Sequence, residues 1–386
     1  MRLRSLLQPA ILPAYVADGG RMARRAARGH VRHPGTATSI LPAVIERCWD
    51  GRRYAASGGQ FRQLWARDFG FAAPALVRLG HGARVDASLD WALEAWGRAG
   101  RITTTIFAGS RPADVWDYGV DSLPFVLRAL RAAPAGERLV AGHGRLLEAE
   151  VARYGRTVVD PATGLVRAGR RFSTHRDTVA TSCNAYGNAM VALLERELVE
   201  TGWFAVPFAP GSAGRLIDAF WRGNRFGEGP PGTPDADLVT GDANVVPFWL
   251  GIVPDELGAR PMLDALEAAG LTDPLPLRYS AARPTAEDRV QRVFVPDYQG
   301  TATWTSLGAM AIDVALRVDP ERGARWLRGH VAVVERDGTL WEVLDDAGRP
   351  YRGRFGLWRA DEAMLWAALF LDLLRRPPAR AAPGEG

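Results

Sequence analysis

Six clusters of polar and aromatic residues recur along the chain at a spacing of about 60 residues, each just before an apolar stretch of helical periodicity. The first is Trp65-Ala66-Arg67-Asp68, the second Trp116-Asp117-Tyr118-Gly119-Val120-Asp121-Ser122, and the third runs from Arg176-Asp177 to Ser182-Cys183-Asn184. The fourth is Gly241-Asp242-Ala243-Asn244 and the fifth Asp297-Tyr298-Gln299-Gly300-Thr301-Ala302-Thr303-Trp304. The sixth is Trp341-Glu342 with the 355–358 region. Two helices of about 15 residues and their connections fill such a period. The spacing therefore predicts six helical hairpins. Closed into a ring, they gather six inner-helix N-termini, with their unpaired N–H groups, at one mouth.

The periodicity places helices over 41–48, 72–79, 85–96, 123–130, 139–151, 185–198, 214–220, 245–251, 261–269, 304–316, 321–334 and 358–374. Strand signals are short, as at 164–167 and 292–295. The expected class is all-α, an (α/α)6 barrel with short β-hairpins in its loops. No Pro- or Ser-rich linker divides the middle. The expected organisation is an N-terminal arm or helix over 1–40, one barrel over 41–376 and a disordered tail over 377–386.

Composition removes several chemistries. The 48 basic residues are all arginine. Without lysine there is no Schiff base, no lysine general base and no Walker A lysine, so pyridoxal-phosphate enzymes, class I aldolases, P-loop NTPases and protein kinases are excluded. Two cysteines, Cys48 and Cys183, make neither a disulfide framework nor a four-cysteine zinc site. The net charge of +5 is spread among 43 acids, which argues against a nucleic-acid partner. The run Arg21, Arg24, Arg25, Arg28 and Arg32 is read as a solvated helix face rather than a membrane or RNA contact. The apolar stretch 6–16 is interrupted by Gln8, Pro9 and Pro13, a poor signal peptide, and no transmembrane run is present. A cytoplasmic protein without a membrane partner is expected. The six histidines show no metal-binding spacing, and no dinucleotide fingerprint occurs, so neither metal nor cofactor is expected. Asp345 and Asp346 fit a solvated turn better than a calcium site.

Helix capping accounts for Asp, Asn and Ser at these positions. It does not account for Trp65, Trp116, Trp304 and Trp341, because a cap gains nothing from tryptophan. An aromatic face packs on the C–H surface of a sugar ring, while carboxylates, amides and arginines bond its hydroxyls. Glycosyl transfer to water needs two carboxyl groups on opposite faces of the bond. Asp121 and Glu342 are the first candidates, with Asp68, Asp117, Asp242 and Asp297 as competitors. Trp65, Arg67, Asp68, Trp116, Asp117, Tyr118, Arg176, Asp177, Asn184, Asp242, Asn244, Trp304, Trp341 and Trp358 are expected to hold the sugar. His175 adjoins the third cluster, and a structural role is expected for it.

These words resemble the six-hairpin glycosidases, which include glucoamylases, the amylo-1,6-glucosidase part of glycogen-debranching enzymes and alkaline/neutral invertases. Trp65-Ala66-Arg67-Asp68-Phe69 is similar to their W-x-R-D helix start, and Val120-Asp121-Ser122 to their V-D-[SA] segment. The stretch from Gly338 to Asp346 is similar to their late E-x-x-D-G segment, and Trp358 to the tryptophan of their closing Q-[AT]-W-S. The resemblance implies that Asp121 is a general acid, Glu342 a general base, and Asp68 a ligand of sugar hydroxyls. It implies hydrolysis of an α-glucosidic bond in an α-glucoside or α-glucan, with inversion. The chain departs from the pattern in leaving no room for the N-terminal β-sandwich domain common in that group, and in lacking the glutamine of the closing segment. A phosphorylase or epimerase on the same barrel, or a non-catalytic carbohydrate-binding protein, is the alternative. Phosphate-dependent turnover marks the first, a histidine pair facing the ring the second, and binding without turnover the third.

Overall fold

The computed structural model describes residues 12–107, 109–114, 118–170, 172–176, 183–283, 293–356 and 358–376. Among them are thirteen α-helices. α1 (Leu12–Arg28) and α2 (Ala37–Cys48) precede five consecutive hairpins: α3 (Ala66–Arg78) with α4 (Gly82–Ala99), α5 (Ser122–Ala132) with α6 (Gly136–Val158), α7 (Ala185–Thr201) with α8 (Ser212–Phe220), α9 (Gly241–Trp249) with α10 (Ala259–Ala268), and α11 (Thr305–Val318) with α12 (Pro320–Asp337). The last helix is α13 (Ala367–Arg375). α3, α5, α7, α9, α11 and α13 pack in that order, and α13 returns to α3. These six form the closed inner ring. α2 packs on α13 and α12, so the beginning and end of the chain supply the sixth hairpin together.

The inner helices are buried on nearly every side. The residues of α11 from Thr305 to Ile312, with Val314 and Ala315, are buried, as are those of α7 from Ala185 to Leu194. The outer helices keep a polar face: α12 buries only Gly323, Trp326, His330 and Val334. Gly70 on α3 allows the close approach to α5, since a Cβ there would lie 2.3 Å from the Phe125 Cβ. The period locates five inner-helix starts. The sixth helix opens at Ala367 rather than Trp358, because the segment before it pairs as isolated bridges, Trp341 with Glu362 and Arg352 with Arg359. The strand expected over 164–167 is a single bridge between Val159 and Val166. Residues 293–294 are helical rather than extended.

Two small sheets tie the mouth together. β1 (Leu64–Trp65) pairs antiparallel with β2 (Thr105–Phe107), which pairs with β3 (Arg111–Ala113). β4 (Thr303–Trp304) pairs antiparallel with β5 (Val343–Leu344), setting Trp304 opposite Val343. The arginine run on α1 is divided. Arg24 and Arg28 are exposed, whereas Arg21 bonds the Gln60 carbonyl and Arg25 reaches Asp361 at 2.7 Å. The solvated-face reading thus holds for Arg24, Arg28 and Arg32, three of the five. Arg21 and Arg25 dock α1 on the loop before β1. No described helix is long and apolar enough to cross a membrane.

Candidate active site

A cavity of about 500 Å3 opens at the inner-helix N-termini. Its wall carries Trp65, Arg67 and Asp68 from the start of α3, and Trp304 and Trp366 from immediately before α11 and α13. Thr105, Phe107 and Asp114 come from the β2–β3 hairpin and its exit. Phe61, Gln60 and Gln63 come from the loop before β1, and Asp18 and Met22 from α1. Tyr298, Gln299, Glu342 and Trp358 are also on the wall. Aromatic faces and hydrogen-bonding groups therefore alternate around one concave space, as in small-molecule sites generally.

Glu342 reaches the wall because β5 is zipped to β4. Its carbonyl accepts the Thr305 N–H, and its backbone N–H donates to the Asp361 carbonyl at 2.9 Å. The side chain is buried and doubly held. Tyr298 donates its hydroxyl to Oε1 at 2.5 Å, and the Asp361 N–H donates to Oε2 at 3.0 Å. Burial pushes the Glu342 carboxyl up to about 8, and the charge of Asp361 adds to the rise, while the two donors act against it. Asp361 is itself a fully buried hub. It accepts from the Gln60 and Phe61 backbone N–H groups and from Arg25, and so fixes the loop that carries Gln60 and Phe61 to the cavity.

Asp114 is a second strongly perturbed carboxyl on the wall. Burial pushes it up to about 6 against the pull of the Thr104 N–H, which donates to it at 3.1 Å. Asp18 is also raised by burial, opposed by Arg21, and accepts from Gln63 at 2.6 Å. His175, for which the sequence suggests a structural role, borders the cavity too.

Several expected ligands stand elsewhere. Asp121 is 1% exposed and is not on the wall; its Oδ2 pairs with Arg67 Nη1 at 3.1 Å and accepts the Tyr186 hydroxyl at 2.9 Å. Of that ion pair only Arg67 borders the cavity. Arg176 is buried in an ion pair with Glu228, and Asn184 caps α7 by accepting the Gly187 N–H at 2.9 Å while donating to Glu228. Asp242 is buried, accepts the Tyr279 hydroxyl at 2.5 Å, and is pushed up to about 6 by burial and by Glu228. Asn244 ties the Phe226 N–H and carbonyl to α9. Tyr118 packs under the Arg153 guanidinium, and Trp341 donates to Asp337 beside the His30 ring. Arg176, Asn184, Asp242, Asn244, Tyr118 and Trp341 build the wall's support rather than the wall. Asp297, a competitor for a catalytic role, is instead paired with Arg283 and does not border the cavity. Trp116, Asp117 and Asp177 lie outside the described residues.

Sequence reasoning missed Asp18, Gln60, Gln63, Asp114 and Trp366 as site residues. Trp366 alone carried a signal, because it precedes an inner helix as Trp65 and Trp304 do. No described group of three or more His, Cys, Asp or Glu is arranged to hold a metal ion. Asp345 accepts from the Ala347 and Arg349 N–H groups and forms a turn.

A closed ring of six helical hairpins with a cavity at one mouth is an (α/α)6 barrel, a fold the chain shares with solved glycosidases. The chain is similar to the GH63 mannosylglycerate hydrolase from Thermus thermophilus, solved with Tris and D-glycerate: the TM-score is 0.61 at 16% identity over 88% of this chain and 100% of that one. It is similar also to a glycosidase variant solved with glucose, with a TM-score of 0.61 at 17% identity over 92% of this chain and 96% of the other. No protein-family model matches the sequence, and no curated protein matches it.

Proposed function

We propose that the protein is a glycoside hydrolase that cleaves an α-glucosidic bond with inversion, and that Glu342 is its general base. The observation that carries this reading is Glu342 itself. It is a buried carboxyl on an aromatic cavity wall, held by Tyr298 at 2.5 Å and raised to about 8. A carboxylate raised toward neutral pH takes a proton from water more readily than an exposed one. The shared fold supports the reading, and the glucose bound in a structure of similar fold is consistent with a sugar-sized occupant.

The proton donor is assigned to another wall carboxyl rather than to Asp121, which lies behind Arg67. Asp114 has the burial and the raised carboxyl that a donor requires. Asp68, on the same wall, is placed as a ligand of sugar hydroxyls with Arg67 and Trp65. Inversion asks that the donor and Glu342 stand roughly 6.5–9.5 Å apart across the bond, leaving space for water.

The test is release of glucose from sucrose, trehalose, isomaltose, maltooligosaccharides and glucosylglycerate, and of mannose from mannosylglycerate, followed by polarimetry for the anomer formed. Turnover that Glu342→Gln lowers by several orders of magnitude, yielding the inverted anomer, is expected. Phosphate-dependent turnover would make the protein a phosphorylase, and tight sugar binding without turnover a binding protein. The donor is identified by Asp114→Asn, Asp68→Asn and Asp177→Asn, the last because it follows His175 by two residues. The donor's variant regains activity on a glucosyl fluoride, whose leaving group needs no proton.

A further inference from the structure

We infer that His175 is locked as the neutral tautomer with its proton on Nδ1, so that Nε2 offers an acceptor to a hydroxyl of a sugar in the cavity. This rests on the reading that the cavity takes a sugar. The ring borders the cavity and is 3% exposed. It stacks on Tyr279 at 5.1 Å between centroids and meets the edge of Trp304 at 5.6 Å. Its Nδ1 lies 2.9 Å from the Tyr279 hydroxyl, and that hydroxyl lies 2.5 Å from Asp242 Oδ2.

Tyr279 has one proton to give. Donating it to the buried Asp242 carboxylate makes the stronger, charge-assisted bond. The tyrosine oxygen is then an acceptor, and Nδ1 must be the donor. Asp242 is placed for this by its position in the first turn of α9, where Oδ1 accepts the Ala243 N–H at 2.9 Å. The Arg176 guanidinium lies over the Tyr279 ring at 5.1 Å and pairs with Glu228, which accepts the Thr240 hydroxyl. The chain Asp242–Tyr279–His175 is therefore anchored at its inner end by helix and ion pair, and ends at the cavity. Burial, with the charges of Arg67 and Arg176, holds the imidazole well below its ordinary range, so the ring stays neutral. A neutral ring protonated at Nδ1 has its lone pair on Nε2.

The cavity's other polar groups include Arg67, a donor, and Asp68, which accepts when ionised. A neutral acceptor bonds a hydroxyl without adding a charge to the site. Asp242, Tyr279 and Arg176, none of which borders the cavity, thereby act as positioning groups for His175.

The experiment is long-range 1H–15N spectroscopy of the full chain labelled in histidine, with D-glucose and its monodeoxy analogues as probes. In the wild type, the His175 Nδ1 resonance is expected in the protonated range and Nε2 in the unprotonated range, with Nε2 moving on glucose addition. Tyr279→Phe keeps the ring stack but removes the acceptor, and is expected to shift the tautomer toward Nε2–H. Glucose affinity should fall about tenfold in His175→Ala, the scale of one hydrogen bond, and recover in part in His175→Gln, whose Oε1 replaces the acceptor. One monodeoxy analogue should bind the wild type as weakly as glucose binds His175→Ala. A protonated Nε2 in the wild type overturns the assignment, as does undiminished glucose affinity in a folded His175→Ala. Failure of the wild type to bind glucose overturns the sugar reading and the hydroxyl contact with it, whereas the tautomer is decided by the resonances alone.

Discussion

The Arg67 guanidinium stands 3.1 Å from the Asp121 carboxylate, and of the two only the arginine borders the cavity. A buried carboxylate behind a buried cation holds it in place. Removing that charge while keeping the shape, as Asp121→Asn does, is expected to reduce kcat/KM by about ten- to a hundredfold, the scale of a lost charge-assisted hydrogen bond. Arg67→Ala should reduce it by a similar factor, and the double variant should add little, because both changes break one pair. Steady-state kinetics of the four proteins on the α-glucoside that turns over checks this. Loss of several orders of magnitude in Asp121→Asn, rescued by glucosyl fluoride, would restore Asp121 as the proton donor.

The ring of helices was legible because burial on all sides leaves an apolar run, and a helix start leaves polar groups, at each period. Ala66, Ser122, Ala185, Gly241 and Thr305 all begin inner helices where the clusters placed them. The site was legible in part for the same reason. A residue beside a helix start is near the mouth, but a one-residue change of direction decides whether it faces the cavity. Trp65, Arg67, Asp68 and Trp304 face it, while Asp121, Asn184 and Asn244 turn into the structure between helices. Asp114 and Gln63 arrive through strand pairing, and Asp18 through a helix docked from the far end of the chain. Such contacts carry no local periodic signal. Arg21 and Arg25 illustrate this, since their inward partners Gln60 and Asp361 are remote in sequence.

The raised Glu342 carboxyl sets a pH dependence for activity and an opposite one for stability. A general base works when ionised, so kcat/KM on a glucosyl fluoride, which needs no proton donor, should climb with pH and level off above about 8, where the free enzyme's Glu342 has lost its proton. Stability has the other sign. A carboxyl raised on folding binds its proton more tightly in the native state, so its ionisation removes stability as pH rises from the unfolded value, roughly 4.3, to about 8. Glu342→Gln should therefore melt higher than the wild type at pH 8, with the gap closing toward pH 5. Thermal melts and pH–rate profiles are the measurements. A rate on the fluoride that does not rise through pH 8 in the wild type would instead make Glu342 the acid.

Arg25 closes α1 onto the barrel. Its guanidinium bonds Asp361 at 2.7 Å, Gln60 Oε1 at 3.1 Å and the Arg359 carbonyl at 3.1 Å. Arg25→Ala leaves the buried Asp361 charge without that cation, at a cost of about 2 kcal/mol. The neighbouring Arg24 and Arg28 are exposed, which makes α1 a reporter of its own docking. Limited trypsin digestion of Arg25→Ala is expected to cut after Arg24 and Arg28 well before the barrel is cut. Wild-type resistance at those sites in the variant would show that Asp18–Gln63 and Arg21 suffice to hold the helix.

Tyr298 and Asp361 act on the Glu342 carboxyl in opposite directions, so their variants should move one titration both ways. The Tyr298 hydroxyl donates to Oε1 and favours the ionised form, whereas the Asp361 charge disfavours it. Tyr298→Phe removes the donor and leaves the ring against Trp304, Tyr351 and Trp358, so the fold should hold. The rising limb of kcat/KM on a glucosyl fluoride should then move to higher pH. Asp361→Asn removes the charge and should move it lower, although the loss of the Arg25 pair will reduce the melting temperature as well. The pH profile separates the two effects, because destabilisation alone lowers the amount of folded enzyme without shifting the limb. Limbs displaced in the same direction by both variants would show that Glu342 is not the group being titrated.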